Sequence, residues 1–223
     1  MVDFNKLLED LDNEHEQNQE PIERLDTSVP YCFMLDTRGK KYGEIIRALS
    51  TVEARKSVIL RYNGEWRDLG NEFECFVLKF DHYFGKFDNN GELIACLFQT
   101  PTSNIKDWVD CFLSLLVIDV PNVGLLPVKF TAKRGQAQAF WDIHKKNFEE
   151  KVPLKDMLLN LKFSEGRSKN GPYGYTEVAI KVVTDVRAKA IAEHQSSDFA
   201  DILQRITEDY KFSFDELKKK AAS

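Results

Sequence analysis

Apolar positions first recur at helical spacing: Phe4, Leu7, Leu8 and Leu11 form one stripe and predict a helix over residues 2–16. The polar stretch 16–20 and Pro21 end it, and residues 17–29 read as a linker. After Pro30 the period becomes two. Residues 31–35 predict a short strand, whereas residues 42–49 fit a helical turn or a strand equally well. Residues 57–62 alternate and run into Asn63-Gly64, a strong hairpin signal, with Trp66 and Leu69 on the return strand. Residues 72–80 place Phe76, Leu78 and Phe80 on one side and Phe73, Cys75 and Val77 on the other. Asp88-Asn89-Asn90-Gly91 turns the chain into a strand over 92–98. Residues 108–120 are apolar on both faces, as expected of a strand buried centrally. Pro121-Asn122-Val123-Gly124 is a turn, and residues 127–131 predict the next strand.

Helical spacing returns at residues 135–151, where Ala139, Phe140, Ile143 and Phe148 share a face. Beyond Pro153, residues 158–165 and 173–183 predict two strands of a hairpin. From Asp185 the pattern is helical to the end. Ser197-Asp198 is placed to cap residues 199–210, and Ser213 with Glu216 forms a capping box for residues 214–220. These elements divide the chain into an acidic helix and linker (1–29), a β-rich core (30–184) and a helical extension (185–223). The fold class expected is mainly β (α+β): an antiparallel barrel or sandwich of oligonucleotide-binding type, with extra hairpins and C-terminal helices. The strand–helix–hairpin order over residues 108–183 is that of the second half of such a barrel.

Composition narrows the class without naming a function. Of 223 residues, 43% are hydrophobic and 30% charged, which permits a sizeable core. The longest uncharged apolar run is the eight residues 111–118, far short of the about 20 a spanning helix needs, so no membrane partner is expected. The first 20 residues carry seven acids and one base and no apolar stretch. A secretory leader is therefore not expected, and the cytoplasm is the expected location. Cys32, Cys75, Cys96 and Cys111 form no CxxC pair and read as free small hydrophobes. A Cys75/His82 pair lacks two further ligands nearby, so no metal or other cofactor is expected. No phosphate-cradling glycine loop, metalloprotease helix or nucleophile elbow occurs. The acid pairs Glu72/Glu74 and Asp107/Asp110 read as solvated surface. The expectation is a protein without a catalytic centre.

Charge is distributed unevenly. Residues 1–26 hold nine acids and two bases, a net of −7, and the rest of the chain carries +2. Residues 127–187 hold twelve bases against seven acids. The arm is read as a solvated terminus, or as an arm that competes with a polyanion bound by the body or docks a basic partner. Under the second reading, deleting residues 1–26 should tighten binding of a polyanion in a titration near about 50 mM salt. Unchanged or weaker binding would count against the competing arm and leave the solvated terminus as the better account.

The most informative local feature is the hairpin loop Glu165-Gly-Arg-Ser-Lys-Asn-Gly-Pro-Tyr-Gly-Tyr175. It combines Arg167 and Lys169 with Tyr173 and Tyr175, which share a face if the strand is regular. Single-stranded nucleic acid needs cations for its phosphates and flat rings for its bases. Lys133-Arg134 before the helix and Arg38, Lys40 and Lys41 in an earlier turn supply further cations. Trp66, beside Arg61 and Arg67, and the cluster Phe80, Tyr83, Phe84 and Phe87 read instead as packed rings. The hairpin segment GRSKNGPYGYTEVAIKVV resembles the last half of phage- and plasmid-type single-stranded-DNA-binding proteins. That resemblance implies a non-enzymatic binder of single-stranded DNA or RNA. It covers about a third of the chain, whose last residues are Lys218-Lys219-Lys220-Ala-Ala-Ser where many such proteins have an acidic tail. The alternative expectation is a protein-binding adaptor or assembly subunit, using residues 1–26 or the apolar stripe Phe199, Ile202, Leu203 and Ile206. Self-association as a homo-oligomer is compatible with either.

Overall fold

The computed structural model describes residues 29–222 apart from Arg38, Lys40, Asn89, Asn90 and Asn170. The helix expected over 2–16 and nearly all of the linker therefore lie outside the described residues. Nine strands form one mixed sheet: β1 (Tyr31–Met34), β2 (Val58–Tyr62), β3 (Glu65–Asp68), β4 (Glu72–Phe87), β5 (Leu93–Leu97), β6 (Val109–Val120), β7 (Gly124–Lys133), β8 (Met157–Ser168) and β9 (Gly171–Val182). Four helices accompany them: α1 (Tyr42–Ala48), α2 (Ala137–Phe148), α3 (Val186–His194) and α4 (Phe199–Ala222). The strand order is β3-β2-β1-β7-β6-β4-β8-β9, with β5 on β4. All pairings are antiparallel except β1 with β7, in register Tyr31↔Lys129. The sheet is curled into a half-barrel, so the architecture is mainly β with C-terminal helices. The oligonucleotide-binding topology itself does not follow from this strand order, which holds nine strands and a parallel pair.

β6 explains the two-sided apolar run. Its residues Phe112, Leu116, Ile118 and Val120 join the core that holds α2, while Cys111, Leu113, Leu115 and Val117 join the core that holds α3 and α4. The sheet is thus covered on both faces, and alternate residues of one strand feed two cores. On the inner side Phe140 of α2 stacks on Phe112 and Phe130, at ring separations of 5.7 and 6.0 Å. On the outer side Phe199, Leu203, Ile206 and Tyr210 of α4 are buried, and the Tyr210 hydroxyl lies 2.7 Å from an Asp81 carboxylate oxygen.

β4 is much longer than its alternating stretch foretold. Residues 72–75 pair with β8 and residues 84–87 with β5 on the same edge. Between them the register to β6 shifts at Val77/Lys79, and Arg187 of α3, itself buried, donates to the Val77 carbonyl at 3.3 Å. A bulge frees backbone groups, and a buried carbonyl needs a donor.

One expected feature is corrected. Residues 199–222 form one continuous helix, so Ser213 caps nothing. Its hydroxyl instead accepts from Lys129 Nζ at 3.0 Å, beside the Lys129–Asp209 ion pair. The ambiguous segment at 42–49 is the helix α1, because Ile45 must reach the small core of Leu35 and Ile59. Among the described residues no helix is long and apolar enough to cross a membrane.

Candidate nucleic-acid interface

The curl brings the β8–β9 hairpin back towards β1. Gly174 packs so tightly on Met34 that a Cβ there would overlap the Met34 sulfur and approach the Arg55 carbonyl at 3.3 Å. A side chain at 174 would require Met34 to move and the Arg55 carbonyl to give way slightly. Gly135, in the turn between β7 and α2, lies against the Gly174 carbonyl and the Tyr175 backbone. Arg55 reaches Glu165 of the hairpin at 3.6 Å and Thr37 Oγ1 at 3.1 Å. Four segments far apart in sequence therefore meet at one end of the half-barrel: residues 34–37, Arg55, 134–136 and 165–175.

The register of the hairpin sets which side chains share a face. Glu165↔Gly174, Gly166↔Tyr173 and Ser164↔Tyr175 are opposite pairs. Thr176, Val178 and Ile180 turn into the inner core, so Tyr173 and Tyr175 occupy the outer face. Their ring centroids are 6.1 Å apart. Tyr173 lies over Gly166, where a Cβ would sit 2.6 Å from the ring, and it remains 45% exposed. One surface of that ring is thus seated on backbone and the other is open.

The cations are placed less uniformly than the sequence implied. Arg134 is exposed and follows Lys133 directly into the turn that touches Tyr175. Lys169 is exposed in the hairpin turn, and Arg167 is exposed on the hairpin face opposite the tyrosines, paired with Pro172. None of these three makes an ion pair with a described residue. Lys133 departs from the group. Its ammonium sits 4.2 Å from the Phe87 ring centroid, and burial holds its pKa below the ordinary lysine value. It belongs to the packing of β4 rather than to the tyrosine surface. Lys41 is exposed but bonds the Tyr31 hydroxyl, away from the hairpin. Arg38 and Lys40 lie outside the described residues.

Register also exposes two cations that spacing in sequence did not suggest. Lys162 and Lys181 alternate onto the tyrosine face of β8 and β9. They share it with Glu177, and with Glu72 and Glu74 of β4 opposite Lys162 and Asn160. Acids offset the lysines there, so the cationic character is confined to the hairpin end.

A second constellation is legible only in three dimensions. His82 Nε2 lies 2.5 Å from Asp110 Oδ1, and Trp141 Nε1 donates to Asp110 Oδ2 at 2.6 Å. The histidine ring sits 4.5 Å from Trp141 and 4.8 Å from Phe84. One carboxylate thus ties β4, β6 and α2 together. Among the described residues no three His, Cys, Asp or Glu side chains could hold a metal. Asp110 is occupied by its two donors, and Asp107, its partner in the acid pair read from sequence, lies 3.8 Å from Lys86.

The stripe considered for docking a partner, Phe199, Ile202, Leu203 and Ile206, is fully buried against the sheet. Comparison with protein-family models, curated proteins and solved structures gives no match for this chain.

Proposed function

We propose that the protein binds single-stranded nucleic acid, without a chemical step, at the hairpin end of the half-barrel. The observation that carries this reading is the Tyr173–Tyr175 pair, outward-facing and 6.1 Å between centroids, at the end of the half-barrel where Arg134 and Lys169 are exposed and Arg167 lies on the opposite hairpin face, none of them in an ion pair with a described acid. Bases have flat faces and phosphates are anionic, so stacking rings bordered by unpaired cations match the ligand in both respects. The open surface of Tyr173 is the first stacking position and Tyr175 the second. Arg134 and Lys169 flank the rings, and Arg167 reaches phosphates passing around the hairpin edge. The strand–helix–hairpin order and the resemblance to phage- and plasmid-type single-stranded-DNA-binding proteins support the same reading.

Stacking and charge separate experimentally. Tyr173→Ala and Tyr175→Ala should each weaken binding of a short single strand by about 1–3 kcal/mol, with the salt dependence unchanged, because stacking releases few counterions. Fluorescence anisotropy across a salt series reads both quantities. Tyr173→Ala should melt within a few degrees of the wild type, since its ring stands exposed on the outer face of β9 and surface substitutions usually shift stability by about 0.5 kcal/mol. Tyr175→Ala, at a position half-buried against Gly135, should lose more. A large fall in melting temperature, with no binding by the wild type at low salt, would show the rings to be caps on the barrel end.

A further inference from the structure

The outer face of β1–β3 carries a second set of rings and cations that the hairpin site does not use. Tyr31 and Phe33 stack along β1 at 6.0 Å, and Trp66 of β3 meets both edge-on, at 6.4 and 6.1 Å. Arg61, opposite Trp66 in the β2–β3 ladder, lays its guanidinium 4.4 Å from the indole centroid. Lys41 sits 5.4 Å from the same ring and donates to the Tyr31 hydroxyl at 3.2 Å. The indole N–H donates to Glu44 at 2.8 Å, which fixes the ring plane.

α1 covers this face only in part: Ile45 is buried over Leu35 and Ile59, and Phe33 and Trp66 pack against that small core yet stay half-buried, as do Tyr31 and Arg61, while Lys41 is exposed. Neither Arg61 nor Lys41 makes an ion pair with a described residue. Two cations are thus held against one tryptophan, and Glu44, which accepts from its indole N–H, forms an ion pair with neither.

The position of the cluster relative to the hairpin is informative. The loop of residues 36–41 joins them: Thr37 accepts from Arg55, which also reaches Glu165 of the hairpin, and Lys41 at the other end reaches Tyr31 and Trp66. Five residue steps span less than about 18 Å even when fully extended. A strand of the about 4–16 nucleotides that small binding domains occupy can cover both places.

We infer that the Tyr31–Phe33–Trp66 face, with Arg61 and Lys41, is a second base-stacking surface for the same single strand that the hairpin end binds. The inference rests on the function proposed above. A base stacks beside the indole, and Arg61 and Lys41 turn from the ring to the phosphates on either side.

The experiment measures affinity for oligo-dT strands of about 4 and about 16 nucleotides, together with quenching of tryptophan fluorescence. The short strand engages one surface at a time and the long strand both. Trp66→Ala should weaken the 16-mer about tenfold, the size of one stacked base, and shrink its advantage over the 4-mer. Trp66→Phe should retain most of the affinity while losing the quenching. Lys41→Gln, at an exposed position where folding is not at stake, should lower the salt slope for the 16-mer by about 0.7. Unchanged 16-mer affinity in Trp66→Ala and an unchanged slope in Lys41→Gln, with Tyr173→Ala still impaired, would overturn this inference and leave the hairpin reading standing. Failure of the wild type to bind either strand would overturn both.

Discussion

Replacing Phe140 with alanine is expected to cost about 3–5 kcal/mol of folding stability, the range for emptying a phenylalanine site in a well-packed core. Phe140 is completely buried, and its ring stacks on Phe112 of β6 and Phe130 of β7. The stability of a domain is about 5–15 kcal/mol in total, so this one change removes a large share of it. The mechanism is specific to the curl of the sheet. α2 is the wedge around which the strands bend, and no other helix enters the inner core with more than one buried residue, Ile202. Urea denaturation followed by circular dichroism gives the midpoint, and Phe140→Leu should lose much less because most of the volume is kept. A loss below about 1 kcal/mol for the alanine variant would mean that the sheet holds its curvature without α2.

Neutralising Arg134, Arg167 and Lys169 together is expected to abolish most of the salt dependence of nucleic-acid binding. Each phosphate contact with a single strand contributes roughly 0.7 to the slope of log affinity against log salt, so the triple alanine variant should lose about 2. The three side chains are exposed and without ion-pair partners among the described residues, so their removal leaves no buried charge unpaired. Lys133→Ala serves as the control. Its ammonium rests on Phe87, so that change should alter stability and leave the slope where it was. A triple variant with the wild-type slope would show that the phosphates run elsewhere on the surface.

Local patterning reached some of this architecture and long-range pairing the rest. The two-sided apolar run of β6 was readable because a strand covered on both faces needs no polar positions. The β8–β9 hairpin was readable because its strands are neighbours in sequence, and its register then follows from the connection. The continuation of β4 through Phe87 was missed. His82, Asp81 and Lys86 interrupt the alternation there, and each is accommodated by a partner on another element: Asp110, Tyr210 and Asp107. The parallel β1–β7 pair leaves no local trace at all, since nothing at residues 31–34 refers to residues 129–130. The candidate site divides along the same line. Tyr173 and Tyr175 could be found from an i, i+2 spacing. The turning away of Lys133, the emergence of Arg134 beside Tyr175, and the stacking of Arg61 and Lys41 on Trp66 required knowing which strands lie side by side.

The parallel pairing of β1 with β7 also governs how the chain reaches its native state. Tyr31 must wait for Lys129 before β1 is flanked on both sides, and closing so long a loop is entropically unfavourable until the later contacts repay it. Domains dominated by such distant pairings fold in milliseconds to seconds rather than microseconds. During synthesis the β2–β3 hairpin can form alone, but the β8-facing edge of residues 72–75 of β4 stays open until β8 emerges, an edge of the kind that invites association between chains. The hairpin end cannot assemble before β9, because Met34, Arg55 and Gly135 acquire their common neighbour only when Gly174 arrives. Under the proposed function, competence to bind at that end is therefore a late event, coincident with completion of the sheet.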